Sequence, residues 1–279
     1  MSLGFFVSLV LAVGLTGSTA HSQTASSPDG QASRVWTSVD IGVIGPASQD
    51  VLHEALEQVR RDGAAGLFIR LDTPGGALDA TRTMVQEIMG AEFPVVVWVG
   101  PSGARAGSAG AFITLAANIA AMAPGANIGA AHPVEGDGSD IKKDLEKKVT
   151  NDTVAFIESI AQSRKRNVEV ARSFVLSSAS ITADEALQQG VIDIIGQDRD
   201  KIFESINGRV IELGNGKKIT LVTKGATFKA YERTLRQKAL EILSNPNLFY
   251  LLFLAGVIGL GYELTHPGVL FQAWQGPFV

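Results

Sequence analysis

Two apolar runs, each leading into a glycine-containing loop, constrain the fold of this chain most strongly. Residues 66–71 and 95–99 have the length and apolar content of buried strands, and helical patterns follow from Ala77 and from Ala109. Strands that alternate with helices are typical of an α/β domain with a largely parallel sheet. We therefore predict an α/β fold in which these two strand–loop–helix units contribute to one shared site.

Ser108 is the central residue of the second loop, which reads Ala106-Gly107-Ser108-Ala109-Gly110. A serine at a strand-to-helix turn has its hydroxyl at the positive end of a helix dipole, and small neighbours let a substrate backbone approach. Serine nucleophiles are commonly presented in this way. The alternative is that Ser108 simply caps the helix, a position that serine favours.

The first loop contains Thr73-Pro74-Gly75-Gly76 after the strand that ends at Leu71. Two glycines between a strand and a helix can leave backbone N–H groups free to bind an anion, which is what an oxyanion hole requires. The alternative is an ordinary tight turn.

Composition excludes several functions. The chain has 279 residues and a formal net charge of −4, and it shows no basic footprint for nucleic acid. It contains no cysteine, which rules out disulfides, thiolate metal sites and a cysteine nucleophile. Its four histidines lack the spacing of metal ligands, so we predict neither a metal nor a cofactor.

The loop motifs resemble those of the ClpP/crotonase superfamily and, within it, the membrane-bound serine proteases of the NfeD type. The resemblance covers most of the chain from Val35 to Gly268. The segments that carry it are Leu71-Asp72-Thr73-Pro74-Gly75-Gly76, residues 101–110, residues 123–133, Asp184-Glu185-Ala186-Leu187 with Gly190-Val191-Ile192-Asp193, and residues 263–268.

The resemblance implies a fold of stacked ββα units and a Ser–Lys dyad. Matched residue by residue, the nucleophile is Ser108 and the base is Lys148, at the start of a long helix predicted over 147–164; Lys147 is the alternative if the register shifts by one. A lysine base near neutral pH needs a pKa about three units below the ~10.4 of free lysine, which burial can supply. Val149, Met122 and the alanine-rich helix that follows Ser108 are the expected apolar walls.

The oxyanion hole implied by the resemblance uses the backbone N–H groups of Gly75 or Gly76 and of Ala109. His132 is the rival base. It lies one position after the residue, Ala131, that matches the ClpP histidine, and in a strand such a shift turns a side chain to the opposite face. We therefore expect His132 to pack or to form a hydrogen bond in a structural role.

These observations predict five segments. Residues 1–20 form a signal peptide or, alternatively, an uncleaved anchor, and residues 21–34 form a spacer. The protease domain covers 35–230, an amphipathic helix covers 231–244, and a membrane segment with a truncated tail covers 245–279. The apolar run 248–262 predicts a C-terminal apolar membrane helix. Its helical length of about 22 Å is short of the ~30 Å hydrocarbon core, so a buried core helix is the alternative.

The function implied by the resemblance is that of an extracytoplasmic, membrane-tethered serine endopeptidase. Its expected substrates are hydrophobic stretches of membrane-associated proteins, with a stomatin-like protein as partner, and we expect a homo-oligomer (dimer or higher). Two alternatives remain open: a crotonase-type enzyme acting on acyl-CoA, since fold alone does not decide chemistry, and a non-catalytic membrane scaffold.

Overall fold

A six-stranded sheet in which every neighbouring pair of strands is parallel forms the centre of the protein. The computed structural model describes residues 34–134, 143–243 and 246–266. Within these ranges the elements are β1 (Val35–Ile41), α1 (Pro46–Asp62), β2 (Leu67–Leu71), α2 (Leu78–Gly90), β3 (Val95–Val99), β4 (Arg105–Gly107), α3 (Ala109–Ala116), β5 (Ile119–Met122), β6 (Asn127–Gly129), α4 (Lys143–Ser163), α5 (Val168–Leu176), β7 (Ser180–Thr182), α6 (Ala183–Gln188), β8 (Ile194–Ile195), α7 (Arg199–Ile206), β9 (Val210–Glu212), β10 (Lys218–Thr220), β11 (Thr227–Ala230), α8 (Leu235–Leu243) and α9 (Pro246–Thr265).

The central sheet has the strand order β11-β1-β2-β3-β5-β8. All five residues of β3 are buried, as are four of the five in β2. Such near-continuous apolar strands are expected where helices cover both faces of a parallel sheet. The predicted α/β fold with a parallel sheet is confirmed.

Short second strands give the fold its ββα units. After β3, the chain forms β4 and then α3; after β5, it forms β6 and then α4. The strands β4, β6 and β7 make a separate three-stranded sheet. Each unit therefore places one strand in the central sheet and one in the small sheet before its helix begins.

The two glycine-containing loops meet at one edge of the sheet because β2 and β3 are parallel and in register. Leu71 pairs with Val99 at their carboxyl ends. The Asp72 carboxylate accepts a hydrogen bond from the Arg105 N–H at 3.0 Å, which ties the loop after β2 to the strand before Ser108. The carboxyl edge of a parallel sheet is the usual site for ligands in α/β folds.

Two helices differ from their predicted bounds. The helix predicted to open near Lys147 begins at Lys143, so Lys148 lies in its second turn rather than at its start. The helix predicted from residue 231 is α8, which begins at Leu235 because Thr234 caps it. The Gln237 N–H donates to Thr234 Oγ1 at 3.2 Å, and the Thr234 N–H donates to Gln237 Oε1 at 3.0 Å, in the manner of a capping box.

The predicted C-terminal apolar helix is α9, and its large apolar side chains, such as Leu251 and Leu260, are exposed. In the ranges that the structure describes, no helix combines the length and apolar content needed to cross a bilayer. The predicted signal peptide and almost all of the predicted spacer fall on residues 1–33, which lie outside the described residues.

Candidate active site

Ser108 has a backbone conformation that non-glycine residues rarely adopt, with φ +49° and ψ −112°. Such a conformation costs ~1–3 kcal/mol and persists only where the surroundings impose it. The Ser108 N–H donates to the Gly129 carbonyl at 2.8 Å, and α3 begins at the next residue. Ser108 occupies the N-cap position, yet within the described chain its side chain makes no capping hydrogen bond. The simple N-cap alternative is therefore not supported.

Glycines around Ser108 let the loop after β2 approach closely. A Cβ on Gly75 would lie 2.6 Å from Ser108 Cβ and 3.2 Å from Ser108 Oγ. A Cβ on Gly107 would lie 3.0 Å from the Pro74 carbonyl oxygen. Gly75 also has φ +125°, a region that disfavours side chains. These contacts explain why small residues flank both loops, and they bring the two predicted site segments together.

The N–H groups predicted to form an oxyanion hole are not equivalent. The Gly75 N–H donates to Thr73 Oγ1 at 3.0 Å and is therefore already used. Within the described residues, the Gly76 and Ala109 N–H groups have no protein acceptor. Ile44 bonds to the groups on either side of Gly76, donating to the Gly75 carbonyl and accepting from the Ala77 N–H, each at 2.9 Å. Since peptide groups alternate in direction along an extended segment, the Gly76 N–H faces away from Ile44.

A cleft of about 1160 Å³ opens beside Ser108, and Gly75, Gly76 and Ala109 line it with the serine. None of the described residues that line the cleft is Lys, Arg, Asp or Glu. Its other lining residues are mostly apolar or small: Val43, Pro74, Ala77, Leu78, Thr81, Phe112, Ala130, Ala131, His132, Pro133, Val134, Val149, Thr153 and Ser178. Elsewhere in the described chain, no group of three or more side chains is arranged to hold a metal ion.

Stacked side chains join the three helices that surround the cleft. Phe112 of α3 stacks on Phe156 of α4, with ring centroids 5.3 Å apart. The Arg82 guanidinium of α2 lies 4.4 Å from the Phe156 ring centroid and pairs with Asp152. A cation over an aromatic face is attractive, so these contacts hold α2 and α4 together behind the cleft.

Lys148 lies at the margin of the cleft rather than inside it. Its neighbour Val149 lines the cleft, as does Thr153 one turn later, whereas Lys147 and Lys148 are both exposed. The expected apolar enclosure of Lys148 is thus only partly present: Val149 borders the cleft, but Met122 is buried in β5 and is absent from the lining.

His132 lines the cleft and is fixed to the protein through its ring. Its Nδ1 lies 3.0 Å from the Val175 carbonyl oxygen, which can only accept, so Nδ1 carries the proton in that bond. The strand expected to turn His132 away ends at Gly129, three residues earlier. The predicted hydrogen bond is present, but the predicted strand register is wrong.

With this geometry established, comparison with known proteins assigns the family. The family described as NfeD1b, N-terminal domain, matches residues 44–202. The chain belongs to this family. It is 34% identical over 231 residues to the membrane-bound protease PH1510 of Pyrococcus horikoshii, covering 81% of this chain and 52% of that protein. It is 28% identical over 227 residues to the membrane protein NfeD1b of Bacillus subtilis, covering 78% of this chain and 48% of that protein.

A solved structure extends the comparison to the fold of this NfeD1b-family chain. The 1510-N membrane-bound stomatin-specific protease, as a lysine-to-alanine mutant in complex with a substrate peptide, superposes with a TM-score of 0.69 at 31% identity. The match covers 75% of this chain and 97% of that one. The chain spans about half the length of the curated relatives it matches. The predicted NfeD-type membership is confirmed.

Sequence reasoning missed two residues at this site. The sequence motif includes Thr73 but does not predict that its hydroxyl bonds to Gly75. Ser178 is a second serine in the cleft lining, with φ +51°, and it follows α5 rather than preceding a helix. The Thr-Pro-Gly-Gly spacing was a usable signal for Thr73, because threonine hydroxyls commonly bond to backbone groups two residues later. Nothing local indicated Ser178.

Proposed function

We propose that this chain is a membrane-associated serine endopeptidase with Ser108 as its nucleophile. The proposal rests on the strained backbone of Ser108 at the start of α3. The Ser108 side chain makes no capping hydrogen bond to this helix, and the residue lines an apolar cleft. Strain of this kind persists where surrounding contacts over-determine a conformation, and it concentrates at active sites. A purely structural serine at this position would cap the helix.

The oxyanion hole of the proposed reaction uses the N–H groups of Gly76 and Ala109. Both residues line the cleft beside Ser108, and the positive end of α3 adds to the field at Ala109. Ser108 Oγ attacks the scissile carbonyl carbon, and these two N–H groups stabilise the negative oxygen of the tetrahedral intermediate. Gly75 is not a donor in this scheme because Thr73 accepts its N–H.

Lys148 is the proposed base: its amine takes the proton of Ser108 and passes it to the leaving amine. Water then hydrolyses the acyl-enzyme. One solved 1510-N structure is a lysine-to-alanine mutant, and another is a serine-to-alanine mutant. In the sequence of that protein, the mutated serine and lysine are separated by one residue more than Ser108 and Lys148 are in this chain. This spacing favours Lys148 over Lys147. A peptide bound in the cleft would lie beside Lys148, because its neighbour Val149 lines the cleft.

Hydrophobic segments of membrane-associated proteins are the proposed substrates. The apolar lining of the cleft suits such segments, and the solved relative is named as stomatin-specific. Acyl-CoA fits less well, because its phosphates call for cationic side chains and none lines the described cleft. We place the catalytic domain outside the cytoplasm, on the basis of the secretory pattern in residues 1–20.

A fluorophosphonate probe tests the nucleophile directly, with Ser178 as the matched control. The wild-type protein should label and should cleave an apolar peptide, while Ser108→Ala should lose labelling and about 10⁶ in kcat. Ser178 is also a cleft serine with positive φ, and Ser178→Ala should keep both the labelling and the peptide cleavage of the wild type. Retention of labelling by a folded Ser108→Ala variant would refute the assignment.

A further inference from the structure

Thr73 is fully buried, and its hydroxyl makes both of its hydrogen bonds to Gly75. Oγ1 accepts from the Gly75 N–H at 3.0 Å and donates to the Gly75 carbonyl oxygen at 3.1 Å. The same carbonyl accepts from the Ile44 N–H at 2.9 Å. The Gly75 carbonyl is therefore held by two donors.

These bonds determine the direction of the Gly76 N–H. The Gly75 carbonyl and the Gly76 N–H belong to one peptide group, which is planar and trans, so the two bonds point in opposite directions. Fixing the carbonyl between Thr73 and Ile44 fixes the N–H as well. Gly76 itself offers no restraint through a side chain, and its positive φ of +156° is freely available to glycine.

The backbone of Thr73 connects this loop to the Ser108 segment. Its N–H donates to the Arg105 carbonyl at 2.8 Å, and its carbonyl accepts from the Gly107 N–H at 3.0 Å. Its methyl group lies against Gly110: a Cβ built on Gly110 would come within 2.6 Å of Thr73 Cγ2. One residue thus contacts the segments that carry both proposed oxyanion donors.

We propose that Thr73 is the positioning residue of the oxyanion hole, acting through Gly75 to aim the Gly76 N–H. This inference rests on the proposed function of the same site. It assigns the hydroxyl a role in the transition state, where the oxyanion forms, and little role in substrate binding.

The test compares Thr73→Val, which replaces the hydroxyl by a methyl of similar size, with Thr73→Ser, which keeps it. Since a whole oxyanion donor is worth ~10²–10³ in rate, a misaimed one should lower kcat by about 10- to 100-fold with KM within threefold of wild type. The affinity of a peptide boronate, which forms a tetrahedral adduct on serine, should fall by the same factor. Thr73→Ser should retain most of kcat. The control Thr83→Val removes a hydroxyl that bonds only within α2 and should change nothing.

The methyl contact supplies a second test that does not remove the hydroxyl. Gly110→Ala should reduce kcat because the new Cβ would lie 2.6 Å from Thr73 Cγ2 and would displace Thr73. The next nearest atom, Ala106 Cβ, would be 3.4 Å away, so the close contact is with the Thr73 methyl group. Adding Thr73→Ser removes that methyl group and should restore activity to the Gly110→Ala protein. Failure of this rescue contradicts the inferred coupling, even if Thr73→Val does not fold.

The outcomes separate the two proposals. A wild-type protein that neither cleaves peptide nor labels at Ser108 overturns the proposed function. An active wild type combined with a folded Thr73→Val variant of equal kcat and equal boronate affinity overturns the Thr73 assignment alone. Equal losses in Thr73→Val and Thr73→Ser also overturn it, because the hydroxyl would then be irrelevant.

Discussion

Gly75→Ala adds one methyl group directly against the proposed nucleophile. The new Cβ would lie 2.6 Å from Ser108 Cβ and 3.2 Å from Ser108 Oγ. Carbon atoms in ordinary contact are ~3.5–4.0 Å apart, so either the loop or the serine must move by about 1 Å. The φ of +125° adds backbone strain, which typically costs ~1–3 kcal/mol of stability.

The displacement sets the expected loss of activity. A misplacement of ~1 Å in an active site can cost about 10²-fold in rate, equivalent to ~2.7 kcal/mol of activation free energy. Steady-state kinetics on an apolar peptide should therefore show a kcat near one per cent of wild type. Labelling by a fluorophosphonate should slow in parallel, because it uses the same serine.

Gly103→Ala is the matched control for this variant. Gly103 lies in the loop that precedes Ser108 and has φ +86°, but a Cβ there would meet nothing within 4 Å. It should lower the melting temperature through strain and leave kcat unchanged. A kcat within threefold of wild type in Gly75→Ala, or an equal loss of activity in Gly103→Ala, would contradict the proposed contact between residue 75 and Ser108.

Two further predictions concern a proposed catalytic residue and a surface ion pair. Lys148→Ala should lower kcat by ~10²–10⁴, whereas Lys147→Ala should stay within threefold of wild type; the reverse pattern would move the base to Lys147. The hydrogen bond to Glu87 at 2.8 Å raises the pKa of His53 in the folded protein above its value in the unfolded chain. The pair therefore stabilises the folded state fully below pH ~6.5, and this stabilisation is lost as the pH rises through the pKa of the folded state. Because His53 is half-exposed, urea unfolding should show His53→Gln less stable than wild type by about 0.5 kcal/mol or less at pH 6 and equal to it at pH 9; a difference that grows with pH would contradict the pairing.

The sequence was sufficient to predict the central strands and the loops at their ends. An uninterrupted apolar run such as 95–99 can be satisfied only by burial, and the glycines that follow mark where the chain must turn. Parallel neighbours then bring the loops after β2 and β3 to one edge. The location of the candidate site therefore followed from local patterns alone, and the motifs in those loops indicated the family.

The orientation of individual groups required the tertiary structure. The sequence could not separate Gly75 from Gly76 as an oxyanion donor, because the choice depends on a hydroxyl bond from Thr73 and on pairing with the distant Ile44. Likewise, the phase of α4 determines that Val149 enters the cleft while Lys148 stays exposed.

The physical reason is the range of the interactions involved. Strand and helix formation is dictated largely by apolar periodicity over a few residues, which the sequence displays directly. Peptide direction at Gly76 and the strained backbone of Ser108 are imposed by partners remote in sequence, such as Ile44 and Gly129. Only the folded chain brings those partners together. The position of the site can therefore be predicted from the sequence, whereas the direction of each N–H group in it depends on contacts between distant residues.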